Sequence, residues 1–431
     1  MARFFNRTQA AANGALASAG AAAPATAVPA ASAPAAQAAS AHAAFKLTHR
    51  QGFLINLVLS VIVVAIGQFM ISSHMVSRYQ LSVIEQIGIY VIMAVSLNLA
   101  VGYLGQLPLG HAGFMSIGGY VGAIFIMQTS QVLHLSQRAF VTGQPLAILL
   151  VVVGLILGGL AAALCGLIIG IPALRLKGDY LAIVTLGFAE IIRVFILNFD
   201  STFNIPLTGG AKGLTGIFLY TNFINTAVVV ALVLFVIHTL MKSRWGRAIL
   251  AIRDNEIAAE ACGINLTFHK TLAFVLSAAF AGMAGVLYAG CIGVMAPAKF
   301  GFMKSVEVLV MVVLGGMGSQ LGSVVAAVGL TVLPEALRSF ADLRMIVYSV
   351  VLILAMMFRP RGLFGSYDFS LSRCIERAVN AFKSKSVPAA ASGAGDVVAS
   401  VAADTVPDAV PDAAPVAADA AHVDAQQGEE D

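Results

Sequence analysis

WGRAILAIRDNEIAAEACGIN, residues Trp245 to Asn265, is a charged interruption between two strongly apolar runs. It is the centre of a polar island, Met241 to Lys270, far longer than the few residues a tight connection between helices needs. The island carries its own start and stop signals. Asp254 or Asn255 can cap a helix, Glu256 falls in its first turn, and Gly263 follows its last turn. This predicts a short helix held outside a bilayer. The surroundings are 59% hydrophobic and 11% charged over the chain, with mean hydropathy +0.90. Soluble domains carry about 25% charged residues. The chain therefore reads as an all-α polytopic membrane protein. A barrel would alternate along short strands, and these runs do not. The net charge of +4 comes from loop lysines and arginines and gives no reason to expect nucleic acid. Cys165, Cys262, Cys291 and Cys374 show no metal or redox spacing.

Outward from the island, about ten apolar runs approach the length needed to cross roughly 30 Å of hydrocarbon. They are 53–71, 80–101, 107–127, 146–171, 180–199, 221–240, 270–292, 305–318, 321–340 and 345–358. The eighth and tenth are short and the third is glycine-rich, so broken or re-entrant helices are expected there. A membrane domain at 49–366 is expected, with a cytoplasmic loop at 241–270. Its flanks, 1–48 and 387–431, are rich in Ala and Pro, and the second is acidic. Both are expected to be disordered, because they lack the large apolar residues that offset chain entropy. No leucine-rich core precedes Ala41-His42-Ala43, so a cleaved signal peptide is not expected. With a cytoplasmic N-terminus, the inner segments 1–52, 172–179, 241–270 and 359–387 gather most of the 25 lysines and arginines. That satisfies the positive-inside rule with both termini on one side.

Three further stretches carry polar groups or breaks at membrane depth. GQLPLGHAGFMSIGGYVGA, from Gly105, holds Gln106, His111 and Ser116. Such residues mark a substrate route or hydrogen-bond a neighbouring helix. LRLKGDYLAIVTLGFAEIIRVFILNF, from Leu174, holds Thr185 and places Glu190 and Arg193 three apart, where they can pair. That pair is either structural or part of the path. EVLVMVVLGGMGSQLGSVVAA, from Glu307, is broken by glycines into two apolar pieces. Gly154, Gly158, Gly159, Gly166 and Gly170, with Gly282 and Gly285, permit close helix packing.

These stretches, with TGGAKGLTGI (Thr208 to Ile217), LAFVLSAAFAGMAGVLYA and FRPRGLFG (Phe358 to Gly365), resemble the LivM-type permeases of high-affinity branched-chain amino-acid ABC importers. The resemblance runs from about Gln80 to Gly365 and omits the tails. It implies an ABC importer permease fold in a bacterial inner membrane. It also implies a second, LivH-like permease, two cytoplasmic ATPases that hold ATP and Mg, and a periplasmic amino-acid-binding protein. Permeases of this kind touch their ATPases through a coupling helix with a Glu-Ala-Ala-x-x-x-Gly-like pattern. Glu256, Ala258, Ala259 and Gly263 match it loosely, with Ile257 interrupting. The coupling candidates are Gly246, Arg247, Arg253, Asn255, Glu256, Ala258, Ala259, Glu260 and Gly263. Those for the translocation path are Gln106, His111, Ser116, Thr185 and Glu190. No GxxxxGK[ST] phosphate loop occurs, so ATP-driven transport needs another subunit.

Other readings remain open. An ion-coupled secondary transporter needs a carboxylate near the bilayer centre, and Glu190 is the good candidate. A membrane-embedded enzyme needs clustered ligands or a nucleophile with a base, and the histidines are scattered singly. Within the ABC class, the substrate could be another amino acid, an amide or urea.

Overall fold

The computed structural model describes residues 77–338 apart from 142 and 177, together with Gln68 and isolated positions between 347 and 363. Both tails, nearly all of the first candidate span and most of the tenth lie outside the described residues.

Helix α1 is Arg78–Asn98. Ser77 starts it with a reciprocal cap, accepting from the Gln80 amide while its own amide donates to Gln80 Oε1 at 2.9 Å. A π-turn, Leu99–Tyr103, extends it. Next come α2 (His111–Val132), the short α3 (Gln137–Val141), α4 (Pro145–Ala173) and α5 (Asp179–Phe203). Helix α6 is Phe223–Lys242. The island folds as α7 (Arg244–Asp254) and α8 (Glu256–Ala261). Then come α9 (Leu266–Ile292), α10 (Phe302–Gly315) and α11 (Gln320–Ala336). The described residues form no sheet. An isolated bridge pairs Leu214 with Met295 through two 2.9 Å bonds.

Six helices among the described residues are long and apolar enough to cross a membrane: Arg78–Tyr103, α2, α4, α5, α6 and α9. The eighth and ninth candidate spans are α10 and α11, each too short to cross alone at 1.5 Å per residue. They form a hairpin at the glycine break. Gly316 and Gly318 take φ of 108° and 85°, and Ser319 Oγ caps α11 by accepting from the Gly322 amide at 3.1 Å. The third candidate span begins later than its apolar pattern suggests, because α2 starts only at His111. The island holds two helices where the sequence reading expected one.

Helix α9 is the buried centre, packed against α4, α2 and α1. Glycines set that approach. A Cβ on Gly118 would lie 2.2 Å from Gly282 Cα, and one on Gly285 would lie 1.9 Å from Met115 O. Helices in lipid gain dispersion contacts by such close packing, since lipid tails compete for apolar surface. The outer helices α4, α5 and α6 leave leucines, isoleucines, valines and phenylalanines exposed.

Candidate coupling and translocation sites

The island is a capped platform. Ser243 Oγ accepts from the Gly246 amide at 3.3 Å to start α7. Gly246 is buried, and a Cβ there would lie 2.4 Å from Leu240 O. Asn255, not Asp254, caps α8: its Oδ1 accepts from the Ala258 amide at 3.1 Å, and its own amide closes α7 on Ala251 O. Gly263 ends the motif at φ +81°, where a side chain would be strained. Asn265 then caps α9 through the Phe268 amide at 3.0 Å.

Two cross-links fasten this platform to the bundle. Glu256 Oε1 accepts from Lys270 Nζ at 2.6 Å and from Gln106 Nε2 at 3.4 Å, with Lys270 almost fully buried. Gln106 therefore belongs to the island and is not placed among the other residues assigned to the path. Arg253 reaches inward and donates from Nη1 to Gly102 O in the π-turn at 3.1 Å, while also pairing with Asp254. The same π-turn is tied to the α10–α11 hairpin. Gly318 N donates to Asn98 Oδ1 at 2.9 Å, and Asn98 Nδ2 donates to Ser319 O at 3.1 Å. Arg253, Gly102, Asn98 and Gly318 thus connect the island to the hairpin turn. Lys270, Asn98 and Gly318 were not singled out from the sequence. Their only signals were a polar residue in an apolar run and glycines at a break.

The coupling candidates divide by face. Ala259 is buried against its own chain, so its small side chain serves internal packing. Ala258, Glu260 and Arg247 are exposed. Ile257, which interrupts the expected pattern, is 80% exposed. Trp245 stands half open beside Phe268, 5.2 Å between ring centroids.

Of the remaining path candidates, His111, Ser116 and Thr185 are enclosed by this chain. His111 Nε2 lies 2.9 Å from Ser96 Oγ, which donates to Met93 O, so the imidazole is the donor in the first contact. Ser277 Oγ donates to Ser96 O at 2.6 Å, and Ser305 Oγ accepts from the Ala112 amide at 3.2 Å. Thr185 Oγ1 donates back to its own helix and accepts from the Leu109 amide at 3.0 Å. Ser116 Oγ is buried without a hydrogen-bond partner. The bonds of His111, Thr185 and Ser305 are interhelical fastenings, and they fix the depth at which α2 begins.

Glu190 and Arg193 do pair, at 2.6 Å, at the middle of α5. A second pair was missed. Lys304 Nζ donates to Glu307 Oε2 at 2.9 Å and to Tyr90 Oη, and lies 4.3 Å from the centroid of the Tyr90 ring. Tyr90 stands at the midpoint of the Arg78–Tyr103 span. The available signal was a lysine and a glutamate three apart at the head of an apolar run.

Among the described residues, six membrane-length helices, a glycine-turned hairpin and a capped polar platform define a polytopic membrane protein, and the sequence carries no phosphate loop. The chain belongs to the family described as the branched-chain amino acid transport system permease component, which matches residues 79–358. It is 38% identical over 323 residues to the high-affinity branched-chain amino acid transport system permease protein LivM of Salmonella typhimurium, covering 67% of this chain and 71% of that one. It is 27% identical over 297 residues to the LivH permease of Escherichia coli, covering 64% and 91%. It is also 30% identical over 233 residues to the fructose import permease protein FrcC of Rhizobium meliloti, covering 51% and 62%. No solved structure matches the chain.

Proposed function

We propose that this chain is one permease subunit of an ATP-driven importer for leucine, isoleucine and valine in a bacterial inner membrane. A sister permease completes the path, two cytoplasmic ATPases bind ATP and Mg, and a periplasmic binding protein delivers substrate. The α7–α8 platform faces the cytoplasm, in keeping with the lysines and arginines gathered at that end. The observation that carries the reading is the exposed face of α8. Ile257 is 80% exposed, beside Ala258 and Glu260, on a helix cross-linked to the bundle through Glu256 and preceded by Arg253, the cross-link at the end of α7. A short helix that presents one apolar knob fits a groove on a soluble partner. Arg253 of α7 links the platform to the α10–α11 turn through Gly102 and Asn98, so movement of the platform reaches a membrane hairpin.

The test is uptake of labelled leucine by membranes carrying this chain with its sister permease, its ATPases and its binding protein. Uptake that stops when the ATPases are omitted supports the reading. Uptake by this chain alone, driven by an ion gradient, contradicts it. Against ion coupling stands Glu190, whose charge is already neutralised by Arg193 at 2.6 Å.

A further inference from the structure

We propose that Lys304, Glu307 and Tyr90 form a recognition site for the zwitterionic head of an amino acid, half-way across the permease. The inference rests on reading the chain as an amino-acid permease and names the groups that would hold the substrate inside it.

The starting point is charge where lipid cannot accept it. Lys304 and Glu307 lie at the level of Tyr90, the midpoint of the Arg78–Tyr103 span. The Glu307 side chain is 38% exposed at the surface of this chain, while Lys304 is 14% exposed behind it. Near them, Glu190 Oε1 lies 3.8 Å from where a Cβ on Gly301, the residue before α10, would stand. Glu190 and Arg193 are also open, at 39% and 31%, and also sit mid-span. Two ion pairs open on the surface at the bilayer centre are unstable against hydrocarbon. The face made by α1, α10 and α5 therefore turns toward water, in a path shared with the sister subunit. The exposed surface of α4, by contrast, is apolar along its length.

Valence then selects the ligand. The Lys304 ammonium has three donors, and Tyr90 Oη and Glu307 use two. Tyr90 Oη accepts from Lys304, so its own proton remains to donate. Glu307 uses Oε2 and leaves Oε1 open. Two free donors thus sit beside one free carboxylate oxygen, the complement of a carboxylate and an ammonium on one carbon. The cation–π contact holds the lysine head in place without consuming a donor. Phe302 and Met303, both exposed, flank the pair with the apolar surface a branched side chain would cover. A fully internal ion pair would have left neither open valences nor an exposed carboxylate.

The experiment uses the complete importer in proteoliposomes with labelled leucine. Lys304→Met and Glu307→Gln are each expected to lower uptake at least tenfold. Assembly, basal ATP hydrolysis and leucine affinity of the separate binding protein should be unchanged, and Lys304→Arg should retain part of the activity. Normal uptake in both variants overturns the site. So does a loss that merely tracks reduced assembly in both, with Lys304→Arg no better, because a structural pair behaves that way. A wild-type complex that moves no amino acid overturns the functional reading itself, an outcome distinct from the variants failing to differ.

Discussion

Lys270 shows how one side chain ties the platform to the membrane domain. Its ammonium is nearly buried, and Glu256 neutralises it at 2.6 Å. Removing one partner of a buried pair costs more than the pair contributes, because the other charge is left without compensation. Glu256 is partly open to solvent, so the cost is about 1–3 kcal/mol. Glu256→Gln is expected to lower membrane abundance and thermal stability, and Lys270→Met added to it should recover most of the loss. Additive losses in the double variant would show that the two residues act separately. His111 is read the same way. All of its contacts are internal, so His111→Leu should reduce abundance and uptake together. Uptake falling well below abundance would return it to the translocation path.

At the scale of elements, the packing of α2, α4 and α9 depends on absent side chains. Gly285→Val would drive a Cβ to within 1.9 Å of Met115 O, a backbone atom that cannot step aside. Overpacking of this kind costs about 1–3 kcal/mol or more. The permease should disappear from the membrane severalfold, as judged by quantitative immunoblot, and wild-type abundance would contradict the packing described. Most elements were legible in the sequence, because apolar runs near span length and cap residues are local signals. The Asn255–Glu256–Gly263 motif and the glycine-broken hairpin were both readable in that way. Helix α7 was not, because its amphipathic pattern is hidden inside a charged segment. The late start of α2 was also hidden. His111 begins that helix because Ser96 and Ser305 meet its first turn and Thr185 holds Leu109 just before it, from three other helices, and no local pattern records such partners. The inward face of Ala259 and the outward face of Ile257 likewise depend on how α8 lies on α9. The sequence pattern alone favoured the alanines.

For the whole molecule, the arrangement is a chain of connections between a platform and a hairpin. Ile257 stands at its outer end, Arg253 and Gly102 in the middle, and Asn98, Gly318 and α10 at its inner end. Lys304 lies in the first turn of that same α10. Movement of an ATPase against α8 would thus reach the helix that carries the proposed substrate groups, through rigid elements and hydrogen bonds. The membrane domain would act as one lever, with chemistry supplied from outside the chain. The most direct test is substrate-stimulated ATP hydrolysis by the purified complex of this chain, carrying Ile257→Asp, with its proposed sister permease, ATPases and binding protein. Ile257 is exposed, so the change should spare folding and membrane abundance. The account expects stimulation and leucine uptake to fall together by tenfold or more, with ATPase subunits recovered poorly alongside the permease. Full stimulation, full uptake and normal recovery of the ATPases in that variant would contradict it.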